Sequence, residues 1–254
     1  MIICSIDPDK FAAVTASYAR AMQNHAHEVV GVHDARSLCD GYNRGLQRAR
    51  GEIAVFSHDD VDFLDTGLGD RIESHLRTFD VIGVAGTTAL AGMGWAHSGL
   101  QRARGVIIRS RDGVLDVQLF GVTGPQMGGI QALDGVWIAT RTEIARRIGF
   151  DAVNFDGWHG YDTDFTFRCY LAKYGLGVVA DIPIVHFGKG IVDGAWLYYA
   201  ARFREKHGTS LSADSGTWLD VVMRVNNAAE ALAACDINSL HSQTERIRQR
   251  LEAA

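Results

Sequence analysis

The sequence predicts an α/β fold in which a central, mostly parallel sheet carries helices on both faces and is followed by C-terminal helices. Within the first 63 residues, three short apolar runs at residues 2–6, 28–32 and 53–57 alternate with two segments of helical periodicity. Parallel strands joined by crossover helices produce this alternation. The chain has 254 residues, 47% of them hydrophobic, and can bury a full core in one large domain.

The boundaries of the first elements follow from their capping residues. Asp7-Pro8 predicts the start of the first helix, because aspartate caps helix N-termini and proline fits the first turn. Ser37 predicts the cap of the second helix, which leads into the strand at 53–57. A further helix and an apolar strand at 81–85 continue the pattern.

The regular alternation then ends. Residues 86–104 are rich in glycine and too irregular for a helix, which indicates a functional loop. Asp112-Gly113 lies between two apolar runs and is typical of a type I′ hairpin turn. One continuous strand is expected over residues 132–139.

Helices are predicted for the C-terminal part of the chain, around residues 196–206, 212–235 and 237–251. The last one carries apolar residues at nearly heptad spacing. It can pack on the domain, contact a second copy in a homodimer, or lie on a membrane surface. We rank these in that order, because its apolar face is narrow and acidic residues are interspersed.

Composition excludes several classes of protein. The net charge is −5 and no long basic run is present, so no nucleic-acid partner is expected. The four cysteines are far apart and form no C-x-x-C pair, which indicates reduced thiols rather than a disulfide framework or a zinc ribbon. Neither a signal peptide nor a membrane span is recognisable, so a cytoplasmic location is expected.

A cluster of polar side chains follows the apolar run at 53–57. His58, Asp59, Asp60 and Asp62 are placed where a buried strand emerges, and in open α/β sheets ligands bind at the carboxyl ends of strands. Carboxylates that crowd together repel one another unless a cation joins them. A divalent-metal site and a solvated acidic turn are equally compatible with this stretch alone.

Two later segments carry further candidate residues. Asp162 and Asp164 fall in the first turn of a predicted helix, where the helix dipole favours carboxylates. Asp164 has Arg168 four residues on as a partner, whereas Asp162 has none along the helix. Taken alone, Asp162 is better explained as a helix cap. His186 ends another apolar run, and it becomes a candidate ligand only if the acidic strand end lies close in space.

The order and spacing of these motifs resemble the GT-A glycosyltransferases, in particular the family-two-like bacterial group. His58-Asp59-Asp60 stands in place of the Asp-x-Asp motif, Asp134-Gly135 in the middle strand, and Tyr161-Asp162-x-Asp164 in place of the Glu-Asp motif. The resemblance implies a Rossmann-like GT-A domain over residues 1–190. Residues 191–254 would then be a helical extension packed on it.

The resemblance also implies a donor site. The donor would be a nucleoside diphosphate sugar, with UDP as the family's usual nucleotide, and the cofactor would be Mn²⁺ or Mg²⁺. Asp60 matches the family's metal ligand and His186 a histidine that completes the site, while His58 and Asp59 would hold ribose or metal. Asp34 falls where the family binds the nucleobase, with Asn43 near it.

The implied reaction is hexosyl transfer to a hydroxyl acceptor, in the synthesis of a polysaccharide or glycoconjugate. Asp162 matches the family's general base, and attack opposite the leaving group would invert the anomeric carbon. Asp134 and Trp158 match contacts to the donor sugar or the acceptor. The sequence departs from the family pattern at His58, which replaces an aspartate, and at Tyr161, which replaces a glutamate.

Two other functions remain compatible with the sequence. One is a sugar nucleotidyltransferase, although residues 2–11 contain no basic, glycine-rich phosphate loop. The other is a non-catalytic nucleotide- or carbohydrate-binding module of the same fold. Retaining stereochemistry is also open, because spacing along the chain does not determine the geometry of attack.

Overall fold

The computed structural model describes residues 1–99, 101–111, 113–188, 190, 192–213 and 221–252. The strands are β1 Ile2–Cys4, β2 Val30–Val32, β3 Ile53–Ser57, β4 Val61–Phe63, β5 Val81–Gly83, β6 Ala85–Thr87, β7 Ala103–Arg111, β8 Val114–Gly121, β9 Gln126–Met127, β10 Ala132–Leu133, β11 Trp137–Arg141, β12 Leu176–Val179, β13 Ile184–His186 and β14 Val221–Val225. The helices are α1 Pro8–Met22, α2 Leu38–Arg48, α3 Leu68–His75, α4 Thr142–Ile148, α5 Tyr161–Leu171, α6 Gly194–His207, α7 Ala228–Ala234 and α8 Ile237–Glu252.

The first sheet has the strand order β2-β1-β3-β11-β5-β12-β9. Strand β1 is parallel to β2 and β3, and β12 is parallel to β5. Strand β11, however, lies antiparallel between β3 and β5, and β9 is antiparallel to β12. The fold is α/β as predicted, but this sheet is mixed rather than mostly parallel.

The strand expected over residues 132–139 is interrupted. The chain turns at Asp134-Gly135, so that β10 pairs with β6 in the second sheet and β11 enters the centre of the first. Val136 N donates to Asp134 Oδ1 at 2.8 Å, which stabilises the turn. The turn therefore places Asp134 and Gly135 at the junction of the two sheets.

The second sheet has the order β10-β6-β7-β13-β4, and β8 and β14 extend it from β7. Strands β7 and β8 form the predicted antiparallel hairpin. Asp112, half of its predicted turn, is outside the described residues.

The helix predicted over 212–235 is wrong. Val221–Val225 is a strand paired with β8, and only Ala228–Ala234 is helical. Apolar Val221, Met223 and Val225 alternate with the more exposed Val222 and Arg224, which is a period of two. Residues 214–220 are outside the described part of the chain.

Local capping agrees with the sequence. Asp7 Oδ1 accepts from the backbone N–H groups of Asp9 and Lys10 at 2.9 and 3.1 Å, and Ser37 Oγ accepts from Asp40 N at 3.0 Å. These bonds satisfy N–H groups that have no partner within the helix. The predicted starts of α1 and α2 are therefore confirmed.

An aromatic cluster fixes α5 against the first sheet. The rings of Phe150 and Phe165 stack with centroids 4.3 Å apart, and Phe56 of β3 lies 4.8 Å from Phe150. Phe56 and Phe165 are fully buried. Burying such side chains is the main source of stability, and here it holds the first turn of α5 beside the end of β3.

The C-terminal elements pack on the rest of the chain through polar and apolar contacts. Lys206 Nζ and His207 Nε2 of α6 lie 2.6 and 2.8 Å from Asp164 Oδ1 on α5. In α8, Leu240 is buried and Thr244 Oγ1 accepts from Val122 N at 2.8 Å. No helix in the described ranges is both long and apolar enough to cross a membrane.

Candidate metal and transfer site

Strand topology brings two histidines together although 128 positions separate them. His58 follows β3, and its N–H donates to Val136 O at 3.2 Å. His186 ends β13, which pairs antiparallel with β4 so that His186 lies opposite Val61. Asp60 is adjacent to Val61 and therefore lies beside His186.

His58, Asp60 and His186 direct one donor atom each toward a common point. The distances are 3.2 Å from His58 Nδ1 to His186 Nε2, 3.3 Å from His186 Nε2 to Asp60 Oδ1, and 3.7 Å from His58 Nδ1 to Asp60 Oδ1. Donor atoms about 2.1 Å from one cation lie about 3.0–3.4 Å from each other in tetrahedral and octahedral sites. Two of the three distances fall in this range and the third, 3.7 Å, is slightly longer, so the triangle is close to the size that a divalent cation requires.

Two further observations support a cation here. Asp60 Oδ1 is buried and has no hydrogen bond, which is costly unless a ligand compensates it. A Cβ added at Gly188 would lie 2.5 Å from His186 Nε2 and 2.9 Å from Asp60 Oδ2. Gly188 therefore keeps open the space in front of His58, Asp60 and His186, which we call the triad.

The ionisation of His58 and Asp60 suits metal binding. Burial, followed by the neighbouring His186, lowers the pKa of His58 to about 4. Burial acts to raise the pKa of Asp60, but the neighbouring imidazoles of His186 and His58 outweigh it and lower that pKa to about 2. Near neutral pH both groups are deprotonated, which is the form in which they bind metals.

Tyr161 orients His58. Its hydroxyl donates to Gly135 O at 3.2 Å and lies 2.7 Å from His58 Nε2. Because the tyrosine proton is used on the carbonyl, His58 Nε2–H is the donor to the tyrosine oxygen. The lone pair of His58 is then on Nδ1, the nitrogen that faces Asp60 and His186.

Asp162 is the next residue after Tyr161 and lies against the same turn. Its Oδ2 accepts from Gly135 N at 2.8 Å. Burial, with a contribution from the charge of Asp134, raises the pKa of Asp162 to about 7, against the effect of nearby backbone N–H donors. Trp95 Nε1 donates to Asp134 Oδ2 at 2.8 Å and fixes that second carboxylate. A carboxyl group with a pKa near 7 is suited to general-base catalysis.

A pocket of about 320 Å³ adjoins the triad at the ends of β1, β2 and β3. Asp59 and the half-exposed Trp158 line it, together with His58 and Asp60. Ser5 Oγ donates to Asp59 Oδ2 at 2.7 Å and so holds this carboxylate at the pocket wall. The pocket combines an aromatic face with carboxylates beside the triad.

Asp34 and Asn43 are not among the residues that line this pocket. Asp34 is exposed, and its Oδ1 accepts from Arg44 Nη2 at 2.6 Å. Asn43 exchanges two hydrogen bonds with the backbone of Phe150, at 2.8 and 2.9 Å. Asn43 thereby joins α2 to the loop after α4.

No motif in the sequence assigns a role to Gly188 or Arg109, and Tyr161 stands out there only as a departure from the family pattern. Gly188 follows His186 within a Gly-x-Gly stretch, which was a usable signal for close approach of the backbone to a ligand. The position of Arg109 beside His186 depends on strand pairing. Nothing local in the sequence indicates it.

The chain was also compared with known proteins. A search of curated proteins gave no match. A model of a glycosyltransferase-like family, related to family 2, matches residues 1–209, which include the triad, Asp162 and helix α6. This match covers most of the chain and confirms the resemblance to family-two-like glycosyltransferases. The protein therefore belongs to this glycosyltransferase-like family.

Proposed function

We propose that this protein is a metal-dependent glycosyltransferase that moves a sugar from a nucleoside diphosphate sugar, with UDP as the first nucleotide to test, to a hydroxyl acceptor. We further propose that the reaction inverts the anomeric carbon and that Asp162 is the general base. Family membership supports glycosyl transfer in general. The geometry of the site supports the roles of a cation and of Asp162.

One observation carries the proposal. The triad and Asp162 are joined through two adjacent residues of α5, because Tyr161 contacts His58 at 2.7 Å and Asp162 contacts Gly135 at 2.8 Å. A cation-sized donor set and a carboxyl group of raised pKa therefore lie at the same edge of the sheet. Glycosyl transfer needs both, since a diphosphate departs while a hydroxyl loses its proton.

His58, Asp60 and His186 would hold Mn²⁺ or Mg²⁺. When bound, the cation supplies Lewis-acid stabilisation of the departing diphosphate. Asp59 and Trp158 would bind the nucleoside part of the donor, since carboxylates accept from ribose hydroxyls and an aromatic face stacks on a base. Asp34 lies outside the pocket, so we assign it no more than a contact at its rim.

Asp162 would accept the proton of the acceptor hydroxyl as that oxygen attacks the anomeric carbon. Attack on the face opposite the diphosphate forms the new glycosidic bond while the bond to the leaving oxygen breaks. The carboxylate is kept basic by burial and by Asp134. We propose that Asp134, whose side chain accepts a hydrogen bond from Trp95, contacts the donor sugar or the acceptor.

We propose that residues 1–190 carry this chemistry and that residues 191–254 support it as an extension. Asp164 follows Asp162 by two positions and is bound by Lys206 and His207 of α6, so the extension contacts the helix that positions the base. The four cysteines are unpaired, which favours action in the cytoplasm, on a polysaccharide or glycoconjugate. A homodimer and contact with a membrane surface are further proposals for the extension.

The test is a thermal-stability screen with nucleoside diphosphates and nucleotide sugars, each with Mn²⁺, Mg²⁺ or a chelator. A ligand that binds only the native state raises the melting temperature by mass action. We expect one nucleotide to act only together with the cation, and Asp162→Asn to keep this response while losing transfer. If Asp162→Asn still catalyses transfer, Asp162 is not the general base. Binding without transfer for any acceptor would indicate a non-catalytic module.

A further inference from the structure

Arg109 makes an unusual contact with the triad. Its Nη1 lies 3.0 Å from His186 Nδ1 and 3.1 Å from Gly188 O, and its Nε donates to Gln118 Oε1 at 2.8 Å. A guanidinium can only donate hydrogen bonds. His186 Nδ1 must therefore be the acceptor, and the ring proton is on Nε2, the nitrogen that faces Asp60 and His58.

This arrangement differs from that of a metal-bound histidine. Such a histidine uses the lone pair of one nitrogen for the cation and donates the proton of the other nitrogen to an oxygen acceptor. With Arg109 in place, the lone pair of neutral His186 points away from Asp60 and His58. A cation bound by the triad and the contact between Arg109 and His186 therefore exclude each other.

Arg109 has no acidic partner within the part of the chain that the structure describes. All three of its hydrogen bonds go to uncharged acceptors, and no described carboxylate pairs with it. Asp116, opposite Arg109 on β8, instead accepts from Arg224 at 3.2 Å. A half-buried, unpaired guanidinium is costly, and phosphate oxygens are among its best partners.

We propose that Arg109 is a donor-binding residue that exchanges partners. It occupies His186 Nδ1 while the triad is empty, and it binds the diphosphate of the donor once a cation occupies the triad. This inference rests on the proposed function, because a diphosphate must be the ligand. Binding of a cation to the triad releases Arg109 from His186. The protein therefore reaches its full affinity for the diphosphate only when the cation is bound.

The test is calorimetric titration of the full-length protein and of Arg109→Gln. Mn²⁺ is titrated first, and then the nucleoside diphosphate that stabilises the wild type most in a panel of UDP, GDP, ADP, CDP and dTDP. We expect Arg109→Gln to bind Mn²⁺ as tightly as the wild type or more tightly. Its affinity for the nucleoside diphosphate with Mn²⁺ present should fall by about tenfold or more, the usual effect of losing charge-assisted bonds. Affinity for the matching nucleoside, which lacks the diphosphate, should not change.

Arg104→Gln is the matched control. Arg104 is on the same strand and donates to two backbone carbonyl groups, of Gln101 and Ala103, at 2.8 Å, and no acidic residue in the described ranges pairs with it. This variant should bind both ligands like the wild type. Arg109→Lys, which keeps the charge and guards against a folding defect, should recover part of the diphosphate affinity.

The outcomes are distinguishable. Equal loss of Mn²⁺ and diphosphate affinity in Arg109→Gln would mean that Arg109 only positions His186, and it would overturn the inference. Unchanged diphosphate affinity would overturn it as well. If the wild type binds none of the five nucleotides with Mn²⁺, the proposed function itself fails, and this inference fails with it.

Discussion

Asp162 and Asp164 lie in the same helical turn, and their substitution by asparagine should change stability in opposite directions. Asp162 has no cationic partner among the described residues, and burial with the charge of Asp134 raises its pKa from 3.8 to about 7. Asp164 is 1% exposed and is bound by Arg168, Lys206 and His207. Burial acts to raise the pKa of Asp164, but these three partners lower it below its ordinary value.

The size of the stability change for Asp162 follows from the linkage between proton binding and folding. The folded state binds the Asp162 proton more tightly than the unfolded state, so this group lowers the free energy of unfolding as pH rises from 4 through 7. A shift of about three pKa units corresponds to about 4 kcal/mol above pH 7, at 1.36 kcal/mol per unit. About 2–3 kcal/mol of this loss should occur between pH 5 and pH 8.5.

The Asp162→Asn variant removes the charge and keeps an oxygen that can accept from Gly135 N. Its stability should therefore exceed that of the wild type, and the excess should grow by about 2–3 kcal/mol from pH 5 to pH 8.5. Asp164→Asn, in contrast, removes the buried carboxylate charge that the partly buried Arg168 and Lys206 contact, and this variant should lose about 3–5 kcal/mol of stability at neutral pH. The stability that the ionised Asp164 provides is lost in the wild type as pH falls through its lowered pKa.

The assay is urea denaturation of the wild type and both variants at a series of pH values, which needs no knowledge of the substrate. Titrating groups that do not interact with Asp162 contribute equally to wild type and variant and cancel in the difference. A stability difference for Asp162→Asn that stays constant with pH would refute the raised pKa. If Asp162→Asn is less stable than the wild type at pH 8.5, a cationic group must compensate the charge of Asp162 in the wild type.

Three further predictions concern the site. Asp60→Asn should abolish the rise in melting temperature caused by Mn²⁺. Asp59→Asn should keep this rise but weaken nucleotide binding. If both variants lose both responses, Asp60 is not a metal ligand distinct from a nucleotide-binding Asp59. Gly188→Ala should weaken Mn²⁺ binding, because its Cβ would lie 2.5 Å from His186 Nε2, while Gly194→Ala, with no atom within 4 Å, should not; calorimetry compares them. The kcat/KM for transfer should rise with pH through about 7 and then level off, as Asp162 loses its proton; a profile that falls over this range would exclude a carboxylate base.

The α/β class, the caps of α1 and α2 and the β7–β8 hairpin could all be predicted from the sequence. Each depends on local chemistry, such as an aspartate before a proline or an Asp-Gly pair between apolar runs. The order of β11 in the sheet could not be predicted. Its position between β3 and β5 depends on a turn at Asp134-Gly135, and the uninterrupted apolar pattern around this turn gives no signal for it.

The sequence by itself determined the candidate residues Asp60, Asp162 and His186, because motif order and strand ends are properties of the chain. Only the tertiary structure placed His58 Nδ1 within 3.2 Å of His186 and left Asp162 beside Asp134 with no compensating cation among the described residues. It also placed Arg109 against the triad. Distances, burial and pKa values depend on groups that strand pairing brings together from remote parts of the chain. The spacing of residues along the sequence therefore does not predict them.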